Sequence, residues 1–228
     1  MLNLRDLIVE IDGVLDADFC ENVINKFEKD PRVSGGVCGT GFDTDTKRST
    51  DLFISKRADW AEYDQVFYEK LLPHSTNYIA FLKDKLGLPS LASSTLIDTG
   101  YQIQRTDPDG FYSWHTDDAY FFVEDTDIKV NRVGYERRLY TYIFYLNDVT
   151  DGGRTQFSLG GDEYFSITPK TGKLILFPAN VLYTHRGELL NSGVKYLTTG
   201  WVSDHIIYAS KDSSEFSESM IEGIKGIL

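Results

Sequence analysis

Cysteine occurs only twice in the 228 residues, as Cys20 and Cys38. Two thiols exclude a disulfide framework and a structural zinc module, and they fit a reduced, cytoplasmic setting. Positive charge is also scarce: 23 Lys and Arg face 35 Asp and Glu, a formal net charge of −12. Nucleic acid and anionic membranes are held by clustered cations, so neither is expected as the main partner. No unbroken apolar run reaches the length of a membrane span, and the first residues, Met1 to Asp6, lack the apolar stretch of a signal peptide. Proline is sparse, with six in the chain.

Aromatic residues are plentiful, with 14 Phe, 14 Tyr and 3 Trp, and 41% of the chain is apolar. That composition builds a sizeable core and excludes a disordered chain. Residues 7–15 read as a strand, followed by a helix carrying Phe19, Cys20, Val23, Ile24 and Phe27 on one face, with Asp18 and Glu21 spaced as a capping box. The glycine-rich stretch 34–50 reads as a mobile loop. Trp60, Val66, Phe67 and Leu71, then Tyr78, Phe81, Leu82 and Leu86, predict two helices separated near Pro73 and closed by Gly87.

Beyond residue 95 short runs of Tyr, Phe, Ile, Thr and Val alternate with turn signals such as Asp107-Pro108-Asp109-Gly110 and Gly160-Gly161-Asp162. About eight strands, centred near 100, 113, 142, 156, 165, 175, 183 and 198, suit a sandwich or barrel. The expected fold is therefore α+β: residues 1–94 as an N-terminal strand and supporting helices of the same domain, 95–205 as a β core, and 206–228 as a C-terminal tail with a possible terminal helix.

Three residue types converge in that β region. His115 and Asp117 form a His-x-Asp pair at the end of a predicted strand, where alternation puts both on one face. His185 lies on a later strand. Two imidazoles and one carboxylate leave three adjacent coordination positions open, the set that selects Fe(II) for oxygen chemistry. Lys195, on the final barrel strand, is a cation whose burial requires an anionic partner. His74 and His205 have no partner spacing and read as surface or capping residues.

Tyr112-x-x-His115-x-Asp117, Tyr145-Leu146-Asn147-Asp148-Val149, Gly152-Gly153-Arg154-Thr155-Gln156-Phe157, residues 169–178, His185-Arg186-Gly187 and Gly193-Val194-Lys195-Tyr196 fall in one order and spacing. In these motifs the chain resembles the Fe(II)- and 2-oxoglutarate-dependent dioxygenases, specifically the prolyl 4-hydroxylase-like branch, over residues 95–203. The resemblance implies a double-stranded β-helix, or jelly-roll, barrel with Fe(II) on His115, Asp117 and His185. It also implies that Lys195 pairs with the far carboxylate of 2-oxoglutarate, with Tyr145 and Thr199 beside it, and that Arg138 and Trp201 line the substrate side. O2 and 2-oxoglutarate would be consumed, with succinate and CO2 released as an unactivated carbon is hydroxylated. The resemblance further implies a proline-containing peptide or protein substrate, and ascorbate as a reductant. A small-molecule or free amino acid hydroxylase, and a non-catalytic barrel binding 2-oxoglutarate or metal, are the other readings.

One position departs from the branch. Where many prolyl 4-hydroxylases carry a cosubstrate-contacting Tyr, this chain has Arg105-Thr106, so Gln102, Gln104 or Arg105 is expected to replace the contact. The excursion 118–136 holds five acids against Lys129 and Arg132. It reads either as a solvated loop or as a lid over the barrel mouth, where its charge would favour cationic substrates.

Overall fold

The structure, a computed structural model, describes residues 3–38, 41–88, 96–118 and 132–210, with backbone alone for 132–136 and 204–210. Expectations for the chain beyond residue 210 and for most of the acidic excursion lie outside the described residues, whereas 206–210, expected to open the tail, belong to the last strand. Two helices serve as support. The first, α1 (Ala17–Phe27), buries Cys20, Val23 and Phe27. It starts earlier than the expected capping box: Asp16 is the N-cap, without a side-chain cap bond, and Asp18 sits inside the first turn, where its charge meets the positive end of the helix dipole.

The second, α2 (Ala61–Leu86), is one helix with Pro73 inside it, not two. Proline removes one backbone bond, to the carbonyl of Glu69, yet the stripe Phe67, Leu71, Ser75, Tyr78, Ile79 and Leu82 is buried without interruption. Burying each large apolar side chain contributes about 1.5–3 kcal/mol, which outweighs one lost hydrogen bond of about 1 kcal/mol. The helix ends as expected, at Gly87 in the left-handed conformation. His74 is half-buried in mid-helix, so it caps neither end.

Fourteen strands lie among the described residues, beginning with β1 (Val9–Ile11), β2 (Ser34–Gly35), β3 (Val37–Cys38), β4 (Gly41–Phe42), β5 (Thr50–Phe53), β6 (Ile97–Asp98), β7 (Gln102–Thr106) and β8 (Tyr112–His115). They continue as β9 (Arg132–Tyr145), β10 (Thr155–Gly160), β11 (Glu163–Ile167), β12 (Leu174–Pro178), β13 (His185–Gly187) and β14 (Lys195–Ser210). The expected loop at 34–50 thus contains three two-residue strands, β2 pairing with β5 and β3 with β4. Residues 132–136, expected to be loop, belong to β9, and β14 runs to Ser210; the two pair as far as Ser210 opposite Arg132.

Two antiparallel sheets make a jelly roll. The larger has the order β1-β12-β9-β14-β7-β5-β2, with β6 against β14, and the smaller β11-β10-β13-β8. Phe157 of the small sheet meets Phe177 of the large one edge-on, with ring centroids 4.8 Å apart. On the other face of the large sheet α2 sets Phe67 against Phe144 and Tyr78 against Tyr140, at 5.6 and 5.1 Å. The α+β reading, a barrel on a helical support, describes this architecture. Gly172 ties the N-terminal segment to β12: its carbonyl accepts from the amides of Val14 and Leu15, at φ +75°, and a Cβ there would lie 2.1 Å from the Leu15 carbonyl oxygen. Among the described residues no helix is long and apolar enough to cross a membrane.

Candidate metal centre and its cavity

The small sheet brings distant residues together. In its register His185 of β13 pairs directly with His115 of β8, and Asp117 follows two residues beyond. The donor atoms of His115, Asp117 and His185 all lie within 4.8 Å of one another. Asp117 reaches both imidazoles, with Oδ1 3.9 Å from His115 Nε2 and Oδ2 3.6 Å from His185 Nε2. Each ring is oriented from behind: Nδ1 of His115 is 2.8 Å from the Ser113 carbonyl oxygen, and Nδ1 of His185 is 3.0 Å from that of Tyr183. If each Nδ1 donates its proton to that carbonyl, both Nε2 lone pairs face inward.

Electrostatics favour the ligating forms. Burial, reinforced by neighbouring His185, pushes the His115 imidazole down to about 3, so it is neutral at ordinary pH. Burial works against the Asp117 charge, but His185, His115 and the Thr141 hydroxyl outweigh it and hold the carboxyl below its usual value. Thr141 donates to Asp117 Oδ2 at 2.6 Å; sequence reading missed this residue, which no motif marks. Tyr112 stacks on His115 at 3.6 Å, and Phe157 and Phe177 pack around His185.

The cluster opens into a cavity of about 810 Å³ lying between the sheets. Lys195 is on its wall, 4% exposed, with Nζ donating to the Gly153 carbonyl at 2.8 Å. Burial lowers its amine to about 8. Among the described residues no carboxylate lies in ion-pair contact with it, the nearest charge influence being Glu188. The anionic partner that its burial demands is therefore not supplied by the described residues of the barrel wall. Arg138 and Trp201 also line the cavity, the guanidinium stacked 3.6 Å over the indole.

Two expected neighbours of Lys195 are placed differently. Tyr145 is fully buried off the cavity wall, its hydroxyl donating to Thr155 Oγ1 at 2.6 Å; Thr155 is what lines the cavity. Tyr145 has the strand parity of Thr141 and Ile143, which line the cavity, and its hydroxyl meets the cavity wall at Thr155. Thr199 does line the cavity, but its hydroxyl proton is donated to the Tyr142 carbonyl at 3.0 Å. The β7 alternation divides the three candidate replacements. Gln102 and Gln104 face the cavity, bonded to each other at 2.9 Å. Arg105 points away, to Asp107 at 2.7 Å and Glu28 at 3.0 Å.

Residues 101–203 match the model of the 2OG-Fe(II) oxygenase superfamily. Over that stretch the barrel is similar to this superfamily, whose reagents are Fe(II), 2-oxoglutarate and O2. The donor set suits the iron, since two imidazoles and a carboxylate whose donor atoms lie within 4.8 Å of one another can share one divalent ion.

Solved structures share this fold. A Trichoplax adhaerens prolyl hydroxylase, solved with a peptide fragment of the hypoxia inducible factor oxygen degradation domain, is 16% identical with a TM-score of 0.63, over 86% of this chain and 83% of that one. The viral collagen prolyl hydroxylase of Paramecium Bursaria Chlorella virus-1, as its 2OG complex, is 21% identical with a TM-score of 0.55, over 87% and 97%. A Pseudomonas putida prolyl-4-hydroxylase is 16% identical with a TM-score of 0.58, over 89% and 97%. None of the curated proteins matches the chain in sequence.

Proposed function

We propose that the protein is an oxygenase that hydroxylates peptidyl proline, with His115, Asp117 and His185 holding Fe(II) and Lys195 holding 2-oxoglutarate. The observation that carries the reading is the buried Lys195 ammonium, without a carboxylate partner among the described residues, in the same cavity as the His-Asp-His cluster. Iron supplies the oxygen activation that unactivated carbon requires, coupled to decarboxylation of 2-oxoglutarate to succinate and CO2.

The remaining work falls to the chain. Thr141 keeps Asp117 ionised and fixed; the Ser113 and Tyr183 carbonyls fix the imidazoles. Lys195 offers an anion a charged hydrogen bond in a site poor in water, where it is worth more than at the surface. Thr155 and Thr199 line the same cavity, and Tyr145 steadies Thr155. Arg138 and Trp201 form a flat, stacked surface suited to a pyrrolidine ring and its neighbouring carbonyl. Ascorbate enters only as an external reductant.

The test is anaerobic loading with Fe(II) and 2-oxoglutarate, then admission of O2 with proline-rich peptides or free amino acids. Succinate formation with a one-oxygen mass gain on a proline peptide is expected. Gain on a free amino acid alone would move the assignment to a small-molecule hydroxylase. Bound iron and cosubstrate without any decarboxylation would make the barrel a binding module.

A further inference from the structure

A second, smaller cleft lies on the outer face of the small sheet. It has a volume of about 280 Å³ and runs over β8 and β13. It shares Phe111, Tyr112, Arg186, Gly187 and Glu188 with the main cavity, so the two adjoin. Its centre is Arg186, the chain neighbour of His185.

Arg186 is held in a fixed posture. Its Nε donates to Gln156 Oε1 at 2.7 Å, and Gln156, directly opposite it in the sheet, is 1% exposed. The guanidinium lies 4.6 Å over the Trp114 ring and 5.5 Å from that of Tyr164. These rings are unusually open for their size, 40% and 49% exposed. The nearby anion, Glu188, is engaged by Arg154 at 2.7 and 2.9 Å. Among the described residues the two terminal nitrogens of Arg186 make no hydrogen bond or ion pair. A planar fork, pre-oriented and flanked by aromatic faces, matches a carboxylate in bidentate contact.

We propose that this cleft is a subsite for an Asp or Glu side chain of the polypeptide substrate, gripped by Arg186 between Trp114 and Tyr164. The inference rests on the peptide reading above. His185 and Arg186 are adjacent on β13 and point to opposite faces, so the metal cluster and the guanidinium lie on the order of 10 Å apart, and a chain advancing about 3.3 Å per residue covers that in about three residues. The acidic excursion 118–136 argued for cationic substrates, but that attraction is long-range and screened by salt, whereas a bidentate contact persists.

The test uses the full chain with blocked nine-residue Gly/Ser peptides, each with one central Pro and a single Glu moved along the flanks, against the matching Gln peptides. Binding is followed by tryptophan fluorescence at about 0.15 M salt, with Trp114→Phe identifying the origin of the signal, and turnover by succinate. A Glu peptide with the acid about three residues from Pro, on one side only, is expected to bind about tenfold tighter than its Gln partner. In Arg186→Gln that ratio should fall to about one, and in Arg186→Lys to an intermediate value. The ratio is taken within each variant, so a general loss of activity cancels. Equal binding of Glu and Gln peptides, a ratio unchanged in Arg186→Gln, or the same preference at every position of the Glu would overturn the subsite. Preferential binding of the Glu peptide without succinate would leave the subsite standing and reject the hydroxylase reading.

Discussion

At the residue scale, the metal cluster depends on one carboxylate. Asp117→Ala removes the only anionic donor, and two imidazoles remain where three groups converged. Loss of tight Fe(II) binding and of succinate formation is expected, checked by metal titration and by coupled turnover. Thr141→Val is the subtler change. It deletes the hydroxyl that bonds Asp117 Oδ2 and leaves the shape nearly intact. Outer-shell partners of this kind are worth roughly 10–100-fold in metal affinity, so the variant should bind Fe(II) that much more weakly while folding normally. Unchanged affinity would mean that Asp117 is oriented by the backbone alone.

At the element scale, the strands were more legible than the helices. The turn signals after residue 95 locate β8, β10, β11, β12 and β13 because glycine and Asp-Pro-Asp-Gly pairs break regular structure in any context. Pro73 misleads for the opposite reason: its local cost is real, but the buried stripe from Phe67 to Leu82 overrides it. That cost gives a prediction. Pro73 is exposed, so Pro73→Ala should restore the bond to the Glu69 carbonyl without disturbing the core. Interior proline costs about 3 kcal/mol, and its rigidity in the unfolded chain returns about 0.4–1 kcal/mol. A net gain of about 2 kcal/mol is expected in urea unfolding. A loss would show that α2 needs its proline.

At the scale of the whole molecule, the barrel could be read from motif order, but the placement of Tyr145 and Arg105 could not. Side-chain direction depends on strand register, which the sequence carries only through alternation: Gln102 and Gln104 face the cavity while Arg105 turns away to Asp107 and Glu28, and Tyr145 is buried against Thr155. Lys195 shows how such a site weighs on the stability of the whole fold. Burial lowers its amine from the usual 10.5 to about 8. Between those values the unfolded chain keeps a proton that the folded chain has released, so this residue makes stability rise with pH across that window. Below about pH 8 the penalty is fully present, on the order of 3 kcal/mol. Lys195→Met should therefore make the ligand-free protein more stable than the parent at pH 7, and should lose the rise between pH 8 and 10.5. It should also lose all stabilisation by 2-oxoglutarate, which in the parent would grow with concentration as RT ln(1 + [L]/Kd). Urea midpoints at pH 7 and 10, with and without 2-oxoglutarate, check all three. A Met variant less stable than the parent at pH 7 would mean that Gly153 and Glu188 already compensate the buried charge, and that the cavity does not hold Lys195 in reserve for an anion.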